Sequence, residues 1–80
     1  MKPIEMIAVF NCEGKSRPYR FKMPGTECVI KVDRVDYSQE EKLAGNKMLV
    51  FRCRSIIDGT ERIYELKYEL GTCKWYLFKM

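Results

Sequence analysis

The pair Asp58-Gly59 restricts the possible folds of this chain more than any other feature of it. Asp-Gly suits a two-residue type I′ turn, whose twist matches that of the strands it joins, so the turn itself sets the pairing on either side. That register places Cys53 opposite Tyr64, Phe51 opposite Leu66 and Leu49 opposite Tyr68. The intervening residues pair Arg52 with Glu65 and Val50 with Lys67. Successive side chains on a strand point to opposite faces, so one face of this hairpin is apolar and the other carries charge.

Three further turns extend the same inner face. A turn at Gly71-Thr72 sets Leu70 by Cys73, Tyr68 by Trp75 and Leu66 by Leu77, with Glu69 opposite Lys74 outside. A type II turn at Pro24-Gly25 pairs Phe21 with Cys28 and Tyr19 with Ile30, and outward Lys22 with Glu27. A turn at Glu13-Gly14 pairs Met6 with Phe21 and Ala8 with Tyr19, and outward Glu5 with Lys22. Ile30 and Val32 are out of phase with Val35 and Tyr37, which calls for a bulge near Asp33-Arg34. Ser38-Gln-Glu-Glu41 has the spacing of a capping box, and Gly45-Asn46 follows as a stop. The pattern predicts a short helix over Ser38 to Ala44, with Leu43 packed against an end of the fold.

The fold class predicted is all-β, a six-stranded antiparallel meander with one short helix between strands three and four. Such a sheet curls into a small SH3-like or partly open barrel, with an OB-like barrel as the alternative. The expected core is Met6, Ala8, Tyr19, Phe21, Ile30, Val32, Leu49, Phe51, Tyr64, Leu66, Tyr68, Trp75 and Leu77.

Eighty residues make one small domain, 1–80, of a size that buries about 60–65% of the surface its unfolded chain exposes. Nowhere is there a run of about 18 apolar residues, so no membrane span is expected. The opening MKPIEMIAVFN has a glutamate inside its apolar stretch and no small-residue cleavage site, so a cytoplasmic protein is expected. The net charge of +4 is compatible with nucleic acid or another acidic partner and equally with a solvated surface.

Cys53 stands between Arg52 and Arg54, yet on a strand both arginines face away from it, so their charges do not activate the thiol. It reads as a core residue. Cys12, Cys28, Cys53 and Cys73 fall on separate strands and turns without a Cys-x-x-Cys. Zinc ligands must all sit ~2.3 Å from the metal, and bridged cysteines need Cα atoms within ~7 Å, so four reduced thiols and no metal are expected. There is no histidine, no serine with a base beside it and no glycine-rich phosphate loop. No enzyme and no cofactor are expected.

The outer face holds the functional signal. Ile7, Val9, Val29, Val50, Ile63, Tyr76 and Phe78 point outward, interleaved with Arg20, Lys22, Arg52, Arg54 and Lys67. Lys67 is expected opposite Tyr76, and Glu65 opposite Phe78. The candidate binding face is Arg52, Arg54, Lys67, Tyr76 and Phe78, with Arg20 and Lys22 next. One reading is a protein interface or a homodimer, with Tyr76 and Phe78 as anchors and the arginines as a rim. The other is single-stranded nucleic acid, RNA in particular, with bases stacked on the rings and phosphates on the cations.

In this order Pro18-x-x-Phe21, Val32-x-x-Val35, Tyr64-x-Leu66 and Trp75-x-Leu77 span most of the chain, from Pro18 to Leu77. The arrangement resembles small bacterial β domains that run Pro-x-x-Phe, paired valines, Tyr-x-Leu and Trp-x-Leu. The resemblance implies a bacterial cytosolic protein and carries no activity with it.

Overall fold

A computed structural model describes residues 1–80, apart from the side chain of Leu43. Eight strands follow one another: β1 (Lys2–Ile4), β2 (Met6–Phe10), β3 (Ser16–Lys22), β4 (Val29–Lys31), β5 (Arg34–Leu43), β6 (Asn46–Ile57), β7 (Thr60–Glu69) and β8 (Lys74–Lys79). They form two antiparallel sheets, one of five strands in the order β1-β8-β7-β6-β5 and one of three in the order β2-β3-β4. The chain crosses between the sheets at Glu5 and again at Val32-Asp33. Val32 N–H donates to Tyr19 O on one side of the second crossing, and Asp33 N–H to Arg54 O on the other. The fold is therefore all-β as expected, but its ladders break at these corners into two sheets rather than a closed six-stranded barrel.

The hairpin at Asp58-Gly59 has the expected register residue for residue, with both turn residues at positive φ as a type I′ turn requires. The β7–β8 register also holds through Glu69↔Lys74 and Leu66↔Leu77, although the chain turns over four residues, Leu70 to Cys73. Beyond Leu77 a bulge puts Lys79, not Phe78, opposite Glu65.

The N-terminal hairpins depart further. Thr26 N–H donates to Met23 O, so the Pro24-Gly25 turn forms. Type II turns splay the strands they join, however, and the Thr26 hydroxyl then donates to Met23 O and accepts from Cys28 N–H. The loop lengthens by two residues and the pairing becomes Phe21↔Ile30 instead of Phe21 with Cys28. An even shift keeps Phe21 and Ile30 inside, while Cys28 is left exposed. Between β2 and β3 the loop is one residue longer than expected, with Asn11 N–H donating to Lys15 O and the Asn11 carboxamide oxygen accepting from Glu13 and Lys15 N–H. A bulge at Tyr19 cancels that extra residue, so Met6 still meets Phe21 but Ala8 meets Pro18. Tyr19 is thereby turned out of the core and Pro18 takes the buried place.

Among the described residues there is no helix. The predicted helical segment is instead the outer half of β5, joined to β6 by a type I′ turn at Ala44-Gly45, with φ of 51° and 81°. A capping box is a local preference, and a helix this short is marginal without tertiary support. As a strand the segment gains a full ladder with β6 from Ser38↔Phe51 to Leu43↔Asn46. The expected packing of the Leu43 side chain lies outside the described residues. The phase change between Val32 and Val35 is met by the crossing at Val32-Asp33, with a bulge at Asp36 adjusting the later pairing.

The core lies between the sheets. Phe21, Ile30 and Val32 pack on Phe51, Cys53, Tyr64, Leu66, Tyr68 and Trp75, with Met6, Ala8, Leu49 and Leu77 around them. Burying a side chain such as Leu66 stabilises by about 1.5–3 kcal/mol relative to exposure. Trp75 stacks on Tyr68 with centroids 4.7 Å apart, and Phe21 meets Tyr64 edge-on at 5.7 Å across the two sheets. A buried hydroxyl chain ties them together: Ser55 Oγ donates to Lys31 O of β4 at 2.5 Å, which leaves it to accept from Tyr64 Oη at 2.5 Å. Cys53 is wholly buried, and burial pushes its thiol up to about 12. Arg52 and Arg54 lie on the opposite face, so the residue is core.

Candidate functional site

The structure divides the seven candidate residues between two faces. Arg52, Arg54, Lys67, Tyr76 and Phe78 share the outer face of the five-stranded sheet, whereas Arg20 and Lys22 lie on the outer face of the three-stranded one. On the larger face Arg52, Arg54 and Lys67 each already have an acid, whereas Lys74 and Lys79 on β8 have no carboxylate within salt-bridge distance among the described residues. Lys67, almost buried, donates to Glu41 at 3.1 Å and lies over the Phe78 ring, 4.0 Å from its centroid. Arg52 pairs with Glu65 at 3.2 Å and stacks over Tyr37, 5.1 Å from the ring centroid. Arg54 holds Asp36 at 2.6 Å and Glu61 at 3.1 Å, and Arg34 reaches Asp36 from the other side at 2.8 Å. Hydrogen bonds from Arg54 and then Arg34 keep the Asp36 carboxyl below its ordinary value, and the Arg54 guanidinium is raised in turn by its bond to Asp36.

Beneath this layer Val50 and Met48 are buried although they point away from the core. Val50 has Gln39 and Lys67 as cross-strand neighbours, and Met48 has Glu41 and Glu69. Val50 was expected outward and exposed. Its neighbours on the flanking strands, Lys67 and Gln39, have long stems with apolar shafts that cover such a position. What remains open on the face are the rings of Tyr37 and Phe78 and, towards the Asp58-Gly59 turn, Ile56 and Ile63, with Tyr76 half-buried beside Lys67.

The smaller face is differently charged. Lys22 is held by Glu27 at 3.2 Å and Glu5 at 3.6 Å. Arg17, Arg20 and Lys31 have no carboxylate within salt-bridge distance among the described residues. Arg20 and Lys31 are direct cross-strand partners, and Ile7 lies on the other side of Arg20. Arg17 sits opposite Val9 on the same face. Arg20 stacks over the Tyr19 ring, 4.8 Å from its centroid, and donates to Tyr19 Oη at 3.2 Å. That hydrogen bond, with the charges of Arg20, Lys31 and Arg17, holds the Tyr19 phenol below its ordinary value. Ile7, Val9 and Val29 are exposed around these cations.

Tyr19, Arg17 and Lys31 were not singled out in the sequence. Tyr19 reads as core until the bulge is known, and Lys31 comes opposite Arg20 only after the two-residue shift of β4. Arg17 carried a weak signal, an arginine on a strand with no acid in register.

Cys12, Cys28 and Cys73 are exposed and all four cysteines are free. Among the described residues no group of three or more potential ligands converges to hold a metal ion. No helix among them is long and apolar enough to cross a membrane. Compared with known proteins, the chain matches no family model, no curated protein and no solved structure.

Proposed function

We propose that this chain is a non-enzymatic binding module whose partner is protein, most simply a second copy of itself, seated on the outer face of the five-stranded sheet. The observation that supports the reading is the internal neutralisation of that face. Glu41, Glu65, Asp36 and Glu61 already occupy Lys67, Arg52 and Arg54. A polyanion would have to displace four carboxylates to reach those cations. A second protein surface need only cover Tyr37, Phe78 and Tyr76, with Ile56 and Ile63 at one end, leaving the ion pairs closed. Aromatic and arginine enrichment is the composition of interface centres, and two copies of a balanced face meet without charge repulsion.

Sedimentation velocity over a wide concentration range tests this. The expected result is a mass that rises from monomer toward dimer, changes little with salt, and returns to monomer in Phe78→Ala and in the Arg52→Ala, Tyr76→Ala double variant. A monomer at every concentration up to the millimolar range would sink the homodimer.

A further inference from the structure

We infer that the outer face of the three-stranded sheet is a second, separate binding site, for the phosphate backbone of a single-stranded nucleic acid. The site is Arg17, Arg20 and Lys31 with the Tyr19 ring, and it does not depend on the self-association of the other sheet.

Charge complementarity carries the inference. Three cations share one open face, and the chain has almost nothing of its own to set against them. Seven of its carboxylates are already in ion pairs: Glu5 and Glu27 with Lys22 at the far end of this face, and Asp36, Glu40, Glu41, Glu61 and Glu65 on the other sheet. Glu69 is bonded to Thr72 and Asn46, and Asp33 accepts from Ile56 N–H. Only Glu13 and Asp58, both in turns, are left without such a partner among the described residues. A second copy of this chain therefore offers no acidic surface to cover the face, and the missing anion comes from outside.

The donors are suited to phosphate. Arginine presents a planar fork that meets two phosphate oxygens at once, and two of the three cations are arginines. Arg20 engages one N–H group, on Tyr19 Oη, and its Nε is buried without a partner, which leaves the other terminal N–H groups of the guanidinium for an incoming anion. Cross-strand neighbours such as Arg20 and Lys31 have Cβ atoms about 5 Å apart, close enough to share one phosphate or hold two in succession. Lys31 is fixed from behind, because its carbonyl accepts the buried Ser55 hydroxyl. The bulge that expels Tyr19 from the core serves the same surface, since it lays a ring flat beneath Arg20.

Single-stranded nucleic acid fits this surface better than a lipid bilayer. Beside Arg20 lies a hollow of about 300 Å³ lined by Met6, Ile7, Phe21 and Val29 together with the charged Glu5, Arg20 and Lys22. Its apolar side chains offer a recess for a base and its sugar, and the Glu5 carboxylate in it is held by Lys22. Unpaired bases stack on aromatic rings and on arginine planes, and both are present here. Helices and surfaces that enter lipid use Trp, Phe and Leu, whereas the exposed apolar residues here are Ile7, Val9 and Val29, short and β-branched.

Fluorescence anisotropy of a labelled mixed-sequence RNA of about 12 nucleotides, in about 50 and 200 mM salt, tests the site. Micromolar binding at the lower salt is expected, falling steeply at the higher. Arg20→Ala and Lys31→Gln should each weaken it about five-fold or more and lower the salt slope by about one, as loss of a phosphate contact does. Arg20→Lys keeps the charge but loses the fork, so it should bind in between. Lys42→Ala, which removes an exposed charge from β5, is the control and should change affinity less than about two-fold. Circular dichroism melts confirm that each variant is folded. Equal weakening by Lys42→Ala and Arg20→Ala would overturn the site in favour of diffuse charge attraction. Absence of binding at low salt, or preferential binding to phosphatidylserine vesicles with the same dependence on Arg20, would overturn the nucleic-acid partner.

Discussion

The outer faces of the two sheets carry similar residues, cations among aromatic and β-branched side chains, yet they are electrostatically unlike. On the five-stranded sheet Arg52, Arg54 and Lys67 are each closed by an acid: Glu65 directly across from Arg52, Asp36 at the β5 bulge and Glu61 diagonally on β7 for Arg54, and Glu41 reaching Lys67 across β6 from β5. On the three-stranded sheet acids reach only the Lys22 end, and the other end is a row of unshared charges. Counting basic residues does not distinguish these faces. What separates Arg52, Arg54 and Lys67 from Arg17, Arg20 and Lys31 is whether a neighbouring strand brings a carboxylate within reach.

The largest effect expected concerns the joint between the faces. Ser55→Ala leaves Tyr64 Oη and Lys31 O without their buried partner, which should cost about 1–3 kcal/mol in urea unfolding. If the sheets were independent, the loss would be negligible and Lys31 would owe nothing to the core. Next in size is a pair of lysines. Lys67→Ala uncovers Val50 and strands Glu41, for about 1–2 kcal/mol, whereas Lys31→Ala should stay within about 0.5 kcal/mol. Equal costs in the same unfolding assay would erase the distinction between a structural and an unengaged cation.

The fold was legible where the turn chemistry admits a single solution. Asp58-Gly59 fixes β6 against β7 because both residues accept positive φ in a two-residue loop. Pro24-Gly25 was recognised as a turn, but type II geometry does not dictate where pairing resumes, and the Thr26 side chain decided it. The Met6↔Phe21 pairing came out right through two compensating departures, the longer Asn11 loop and the bulge at Tyr19. Ser38 to Ala44 was misread because a four-residue capping pattern cannot report a partner strand far along the chain. That error hid half of the site, for Glu41 reaches Lys67 only if β5 is a strand. The placement of Arg52, Arg54, Lys67 and Tyr76 on one face followed from register alone, as did Glu65 as the partner of Arg52, whereas Asp36, Glu61 and Glu41 did not.

A smaller prediction concerns the hairpin that brings those acids in. Ala44 holds φ of 51°, a conformation that favours glycine, so Ala44→Gly should raise stability by about 0.5–1 kcal/mol and the melting temperature with it. No gain would mean that the hairpin frays and that the neutralisation is intermittent. The smallest effect is a titration. Asp36 has a folded pKa below its ordinary 3.8, so its contribution is present above that value and is lost as pH falls through the folded one. Carboxyl-detected NMR should show Asp36 titrating below 3.8 and moving upward in Arg54→Ala. An unmoved midpoint would show that the acid is not what closes Arg54.

The pairing of β1 with β8 has a consequence for how the molecule assembles. β5, β6, β7 and β8 meet their neighbours over short turns, so their ladders close at little entropic cost, whereas Lys2–Ile4 and Trp75–Leu77 come from opposite ends of the chain. Local contacts form early and distant ones late, which makes the four-stranded meander the natural nucleus and the arrival of β1 a late event. The crossing at Glu5 then ties β2, and through it the three-stranded sheet, to that late step. The face with unengaged charge is thus the part of the protein completed last, and hydrogen exchange should find it the first to open.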